Sequence, residues 1–245
     1  MVLRDIRARY AGSRLGIFWA FAQPLLWILL YAWVFGVVLR IPVEKGFSTF
    51  PEFLLAGLLP WMAIQEGISR ASTVLADNAA MVKKTVFPVE TLVLSVVFAA
   101  VVNQVIAFVI YAAYLGWLGH LSLPWLLLTI PALAVQTLMT FGIACFAATV
   151  TTLVRDVAHG VNIALTVVFY ATPIVYPPSM IPSNFRWVLS VNPVAHLAEW
   201  YRRAFTLHTA PDASSVLYLT VFSGVAAVLA AALFLRARPH FADLL

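Results

Sequence analysis

Glu66 and Arg70 stand one helical turn apart inside an otherwise apolar stretch, the arrangement in this sequence closest to an ion pair at membrane depth. Charge in such a place marks a transport path or a proton relay. A Glu four residues before an Arg is equally a bridge that supports its own helix, and both readings stand. The amides Gln23, Asn103, Gln104, Gln136 and Asn162 also fall inside apolar runs, where amides more often join helices to one another than touch cargo. No succession of carboxylates suited to proton coupling accompanies them, so any energy for transport must come from elsewhere. His196 and Glu199 lie i, i+3 apart on one helical face, yet no His-Glu-x-x-His pattern exists to hold a catalytic zinc ion. A polar edge is the simpler reading of that pair. There is no Gly-x-x-x-x-Gly-Lys-[Ser/Thr] loop, so the phosphate cradle of the common ATPases is missing and no cofactor is expected on this chain. Cys145 is the single cysteine and can form no disulfide within the chain.

Aromatic side chains offer a second kind of chemistry. A flat ring packs against the C–H face of a sugar while leaving its hydroxyls wet. Trp19, Trp27 and Tyr31 recur at helical spacing in the first apolar run, and Phe169, Tyr170 and Tyr176 approach the end of the fifth. Interfacial belts and packing account for many aromatics in membrane helices, so these six are candidates for a sugar path rather than an assigned one.

The elements that must position these residues follow from composition. The chain is 63% hydrophobic and 10% charged, against roughly a quarter charged in ordinary soluble domains. Only helices or a closed barrel satisfy every backbone polar group in hydrocarbon. Barrel strands alternate apolar and polar residues, whereas this sequence has long unbroken apolar runs. About 20 helical residues cross a bilayer, and six runs of that size are present: Ile17 to Leu39, Phe53 to Ala76, Thr91 to Leu118, Trp125 to Val154, Val157 to Tyr176 and Ser214 to Leu235. With no linker or charge block between them, residues 1–245 read as a single all-α integral membrane domain with six transmembrane helices. The small-x-small triplet Ala20-Phe21-Ala22 opens the first run instead of following it, which argues against a signal peptide.

Six spans place both termini on one side. With the termini cytoplasmic, Arg4, Arg7, Arg9, Arg14, Arg70, Lys83, Lys84, Arg155, Arg236 and Arg238 lie inside and Arg40, Lys45, Arg186, Arg202 and Arg203 outside, ten against five of the 15 basic residues. The positive-inside rule favours that orientation. The same scatter of basic residues at the ends of apolar runs, with a net charge of +5, is a topology signal and no nucleic-acid footprint.

Three pieces lie outside the spans. Residues 1–16 hold an amphipathic interfacial helix, with Leu3, Ile6 and Tyr10 on one face and Arg4, Arg7 and Arg9 around the rest. Residues 77–90 form a short cytoplasmic segment stopped by Pro88. Residues 172–205 are too apolar for a solvated loop and too interrupted by proline for a span, so they should form outer re-entrant helices. Within them Asn192 caps a helix opening at Pro193, with Val194, Leu197, Ala198, Tyr201 and Phe205 on one stripe and a Glu199–Arg203 pair on the other face.

In this order the pieces resemble the permease subunits of bacterial ABC exporters for polysaccharides, of the type 2 membrane class. The resemblance covers nearly the whole chain. It rests on RDIRARYAGSRLGIFWAFAQPLLW with Leu15, Gly16, Trp19 and Pro24, and on GLLPWMAIQEGISRASTVLADNAAMVKKTVFPVE with Pro60-Trp61, Asn78, Lys83-Lys84 and Phe87-Pro88. TPIVYPPSMIP, Asn192-Pro193 and RARPHFADLL complete it. Each motif is weak alone; their order is fairly specific.

That resemblance implies a homodimer in the bacterial inner membrane, each copy docked on a separate cytoplasmic ATP-binding subunit that holds ATP and Mg. The cargo it implies is a lipid-linked polysaccharide, such as O antigen, capsule or teichoic acid, moving between the two copies. Asn78, Lys83, Lys84, Phe87 and Pro88 would contact the ATPase. Arg4, Arg7, Arg9 and Arg14 would meet the arriving lipid pyrophosphate, a role suited to guanidinium groups, although anionic-lipid binding explains the same arginines. Two other readings are a type 2 ABC permease for a drug or small lipid and a multi-span membrane enzyme acting on lipid-linked sugars. The enzyme would need acidic or histidine residues converging near one membrane face, and no such cluster stands out in the sequence.

Overall fold

The computed structural model describes residues 18–83 and 88–244, with the side chains of all of these except 19–21, 23, 24, 27, 28, 32, 242 and 243. Residues 1–16, Lys84 and Phe87 therefore lie outside the described residues, as do the side chains of Trp19 and Trp27.

Among the described residues every regular element is helical. In chain order they are α1 (Phe18–Tyr31), which continues as a π-helical turn over Ala32–Val38, α2 (Phe50–Asp77), α3 (Ala79–Lys83), α4 (Glu90–Trp117), α5 (Leu123–Leu126), α6 (Thr129–Leu153) and α7 (Val157–Ala171). There follow α8 (Trp187–Val191), α9 (Pro193–Arg202), a π-helical turn over Arg203–Leu207, α10 (Ala213–Ala237) and α11 (Phe241–Leu244). Three stretches are long and apolar enough to cross a membrane: Glu90–Trp117, Leu123–Leu153 and Ala213–His240. Leu29–Val38 and Val157–Ala171 are shorter apolar helices.

α2 is as long as the apolar spans but more polar, and the fold deals with this by enclosing it. It packs against α4, α6, α7 and α9, and from Phe50 to Leu75 most of its side chains are buried. Pro51 sits in its first turn, where a missing N–H costs nothing. Glu52, in the same turn, folds its carboxylate back to accept from the Ser48 N–H at 3.1 Å, the arrangement favoured at a helix N-terminus.

Two apolar clusters stack along the bundle. One joins Phe53, Leu54, Trp61 and Ile64 of α2 to Phe108 and Tyr111 of α4, Leu197 and Tyr201 of α9, and Phe205. The other, nearer α3, joins Val74 and Leu75 to Leu92, Val93 and Val96 of α4 and to Ala144 and Ala148 of α6, with Phe234 and Phe241 beneath. α6 and α10 approach closely because Gly142 has no side chain: a Cβ there would lie 2.8 Å from the Ala227 backbone nitrogen. Such small-residue seams are how helices associate where lipid removes the hydrophobic drive.

The fifth apolar run departs from its sequence reading. The helix stops at Ala171 rather than reaching Tyr176, and Thr172 is extended at φ −102° and ψ 133°. Pro173 explains the early end, since the residue before a proline is pushed out of the helical region.

Candidate functional site

Two polar ladders lie side by side on the exposed surface of the bundle. On α7, His159, Asn162, Thr166 and Tyr170 recur at i, i+3, i+7 and i+11, and all four are exposed. On α2 the same spacing gives Glu66, Ser69, Thr73 and Asp77, which are partly or fully exposed along one edge of an otherwise enclosed helix. The Ser69 hydroxyl donates to Asn162 Oδ1 at 2.6 Å and joins the ladders. Asn162 Nδ2 donates to the Ala158 carbonyl at 3.0 Å, Thr166 donates to the Asn162 carbonyl at 2.9 Å, and Thr73 donates to Asp77 Oδ2 at 2.9 Å. Arg70 pairs with Glu66 at 3.3 Å, the intrahelical bridge their spacing predicts. Exposed polar rows of this kind are costly against hydrocarbon and belong against protein or a watery cavity.

The four aromatic candidates with described side chains, Tyr31, Phe169, Tyr170 and Tyr176, gather at the Tyr170 end. The rings of Tyr31 and Phe169 are 6.1 Å apart, Tyr31 stacks on Phe35 at 5.9 Å, and Phe169 meets Tyr170 edge-on at 5.1 Å. Trp61 backs Phe169 at 5.7 Å. Burial separates the roles open to them: Phe169 is only 7% exposed while Tyr170 is 62% exposed. Tyr176 sits next to this group and donates its hydroxyl to the Tyr170 carbonyl at 2.7 Å. Tyr170 and the half-buried Tyr31 and Tyr176 can therefore meet a ligand, whereas Phe169 supports them from behind.

Residues 172–205 are held by polar contacts that the sequence only hinted at. Asn192 Oδ1 accepts from the Val194 N–H at 2.9 Å and so caps α9, while its Nδ2 donates to the Thr172 hydroxyl at 2.8 Å. All five residues of the apolar stripe, Val194, Leu197, Ala198, Tyr201 and Phe205, are buried. Arg203 pairs with Glu199 at 3.1 Å and with Asp212 at 3.0 Å. Arg202 is 1% exposed; it donates to the Pro173 and Ile174 carbonyls at 2.7 and 3.3 Å and lies 3.7 Å over the Phe53 ring. The break after α7 leaves carbonyls without a helical partner, and Arg202 supplies the donors. Gly57 makes room for it: a Cβ there would stand 3.1 Å from the guanidinium.

Below this lies a closed amide network. Gln104 and Gln136 exchange hydrogen bonds of 2.9 and 2.7 Å, Tyr201 donates to Gln136 Oε1 at 2.7 Å, and Gln136 reaches the Pro60 carbonyl at 3.3 Å. It ties α2, α4, α6 and α9 together, the helix-joining role expected of buried amides. His196 has both ring nitrogens engaged, with Ser215 and with the Ser190 carbonyl at 3.0 Å each, and Glu199 belongs to Arg203. Among the described residues no group of His, Cys, Asp or Glu has the arrangement of a metal site.

At the opposite end of the bundle Asn78 starts α3, accepting from the Met81 and Val82 N–H groups at 2.8 and 3.2 Å while its Nδ2 donates to the Val74 carbonyl at 2.9 Å. Lys83 and Pro88 are exposed there. Sequence reasoning named Glu66 and Asn162 but passed over Ser69, Thr73, His159 and Thr166; their i, i+3, i+7 spacing within apolar runs was the available signal.

Among the described residues, an all-helical bundle with three helices long and apolar enough to cross a membrane, and an exposed polar face shared by α2 and α7, defines an integral membrane protein. The chain belongs to the ABC-2 type transporter family, whose profile matches residues 1–206. It is 31% identical over 245 residues to the O-antigen export system permease protein RfbA of Klebsiella pneumoniae, covering 99% of this chain and 92% of that one. It is 32% identical over 250 residues to the O-antigen export system permease protein RfbA of Myxococcus xanthus, covering 99% and 93%. The polysialic acid transport protein KpsM of Escherichia coli is 24% identical over 245 residues, covering 96% and 90%.

Proposed function

We propose that this chain is the channel-forming permease subunit of an ATP-driven exporter that moves a lipid-linked polysaccharide across the bacterial inner membrane. It works as a homodimer, with six spans in each copy, both termini in the cytoplasm and ATP hydrolysed on a separate subunit docked at residues 77–90. The observation that carries this reading is the pair of adjoining polar ladders on α2 and α7. Charge inside a span is costly and usually faces the bundle interior or a watery cavity; the Glu66–Arg70 pair lies on or beside this surface, with Asp77 and His159 near the ends of their helices. Two copies facing each other across it would enclose a hydroxyl- and amide-lined path, the environment a hydrated glycan needs. Tyr170, Tyr176 and Tyr31 at one end of the ladders provide ring faces for sugars. Full-length similarity to O-antigen and polysialic acid transport proteins supports a polysaccharide cargo.

The test places single cysteines at Thr166 and at Val228, an exposed apolar residue of α10, in a background with Cys145 replaced by serine. A small membrane-impermeant thiol reagent needs water to react. Labelling at 166 that rises when export is running, with none at 228, is the expected result. Equal silence at both positions during export contradicts a channel along the ladders.

A further inference from the structure

α3 is five residues long, far below the roughly 12 residues at which a helix becomes even marginally stable alone. Its geometry is therefore set by what it rests on. Val82 is buried against the second apolar cluster, and the floor of that cluster comes from the far end of the sequence. After Ala237 the chain makes a 3-10 turn over Arg238–His240 and brings α11 against α3. Phe241 is fully buried there, edge-on to Phe234 at 5.2 Å. From the same turn Arg238 reaches Glu90, the first residue of α4, at 3.3 Å. One short stretch thus grips both ends of the segment between α2 and α4, with an apolar anchor under α3 and an ionic one at the start of α4.

The geometry points to residues 238–241 as a clasp that ties the 77–90 segment to α10, so that a displacement imposed on the segment is carried into α10 and across the Gly142–Ala227 seam into α6. This rests on the reading that 77–90 docks the ATPase. Arg238 and Phe241 are positioning residues in this account and touch neither polymer nor nucleotide. The two anchors separate by chemistry. The Arg238–Glu90 pair is 39% exposed on each side, and exposed ion pairs contribute little to stability. Its loss should therefore leave folding intact and appear in coupling.

The experiment uses the complex of this chain with the ATP-binding subunit that co-purifies with it from its own host, reconstituted in liposomes. It compares thermal stability, ATPase bound, ATP hydrolysed and polymer exported per ATP. Arg238→Gln is expected to keep stability, binding and hydrolysis while polymer per ATP falls several-fold, and the exchange Arg238→Glu with Glu90→Arg should restore it. Phe241→Leu should behave like the parent and Phe241→Ala should uncouple. Unchanged polymer per ATP in both Arg238→Gln and Phe241→Ala overturns the clasp, as does a fall that follows lost stability and is not restored by the charge exchange. A thiol-specific cross-linker at Lys83→Cys, in the Cys145→Ser background, separates the two levels. No cross-link to the ATPase sinks the docking reading, whereas a cross-link with normal coupling in the variants sinks the clasp alone.

Discussion

The Arg202 guanidinium donates to the Pro173 carbonyl at 2.7 Å across 29 residues of sequence, and with the Asn192–Thr172 bond it joins the broken end of α7 to α9. It helps to hold the segment between α7 and α10, because buried backbone carbonyls outside a helix need another donor. Arg202→Met keeps much of the packing over Phe53 and removes the donors. Each orphaned carbonyl costs about 1–3 kcal/mol, so the variant should unfold at clearly lower temperature in detergent, and Arg202→Lys should recover only part of the loss because a lysine lacks the forked donor geometry. A Met variant as stable as the parent would show that the break does not depend on this side chain.

The Gln104–Gln136–Tyr201 network yields a sign prediction. Gln136→Leu removes the two bonds exchanged with Gln104 and the acceptor of the Tyr201 hydroxyl, leaving only the long Gln104–Tyr201 contact at 3.4 Å, at a cost of about 1–3 kcal/mol. Replacing both glutamines with leucine removes the orphaned amide and should cost less than the sum of the single changes. A double-mutant cycle on thermal or denaturant unfolding checks this; strict additivity would mean the network carries no coupling.

Glycines divide by what surrounds them. At Gly142 an added Cβ meets backbone of α10 at 2.8 Å, which no side-chain rotation can relieve, so Gly142→Ala should force α6 and α10 apart and lower stability. Gly160 and Gly224 have nothing within 4 Å of that position, and alanine at either should be neutral or slightly stabilising, since glycine in a helix interior costs roughly 0.5–1 kcal/mol relative to alanine. Melting temperatures of the three variants, measured side by side, check the contrast.

Orientation has its own test. Ser183 and Asn184 are exposed in the segment after α7, and cysteines at these positions, again with Cys145 replaced, should react with an impermeant thiol reagent added from the periplasmic side. Labelling only from the cytoplasm would reverse the topology and with it the placing of α3 beside the ATPase.

The helices were legible because each is written in local terms: an apolar run, a proline, a capping Asn192 followed by Pro193. The Glu66–Arg70 and Glu199–Arg203 bridges were legible for the same reason, being four residues apart. What the sequence hid were contacts between distant residues. Arg202 is buried and paired with backbone rather than with Glu199; nothing local distinguishes it from its neighbour Arg203. Gln104 and Gln136 could be named as buried amides but not as partners. The ladders were half visible, because Asn162 and Glu66 stand out in apolar runs while Ser69, Thr73 and Thr166 are ordinary in membrane helices until their alignment on one surface is seen. The fifth apolar run extends five residues past the helix, because apolar composition does not register the effect of Pro173 on Thr172.

The central claim, that polymer passes along the α2–α7 surface, is tested most directly by photo-cross-linking during export. A photoreactive amino acid is placed at Thr166 or Tyr170 on the ladder, or at Val228 on α10, and cells are illuminated while the polysaccharide is being exported. The account predicts glycan attached to the chain at 166 and 170, dependent on ATP hydrolysis by the partner, and none at 228. Glycan captured equally at all three positions, or at none of them while export proceeds, would contradict it.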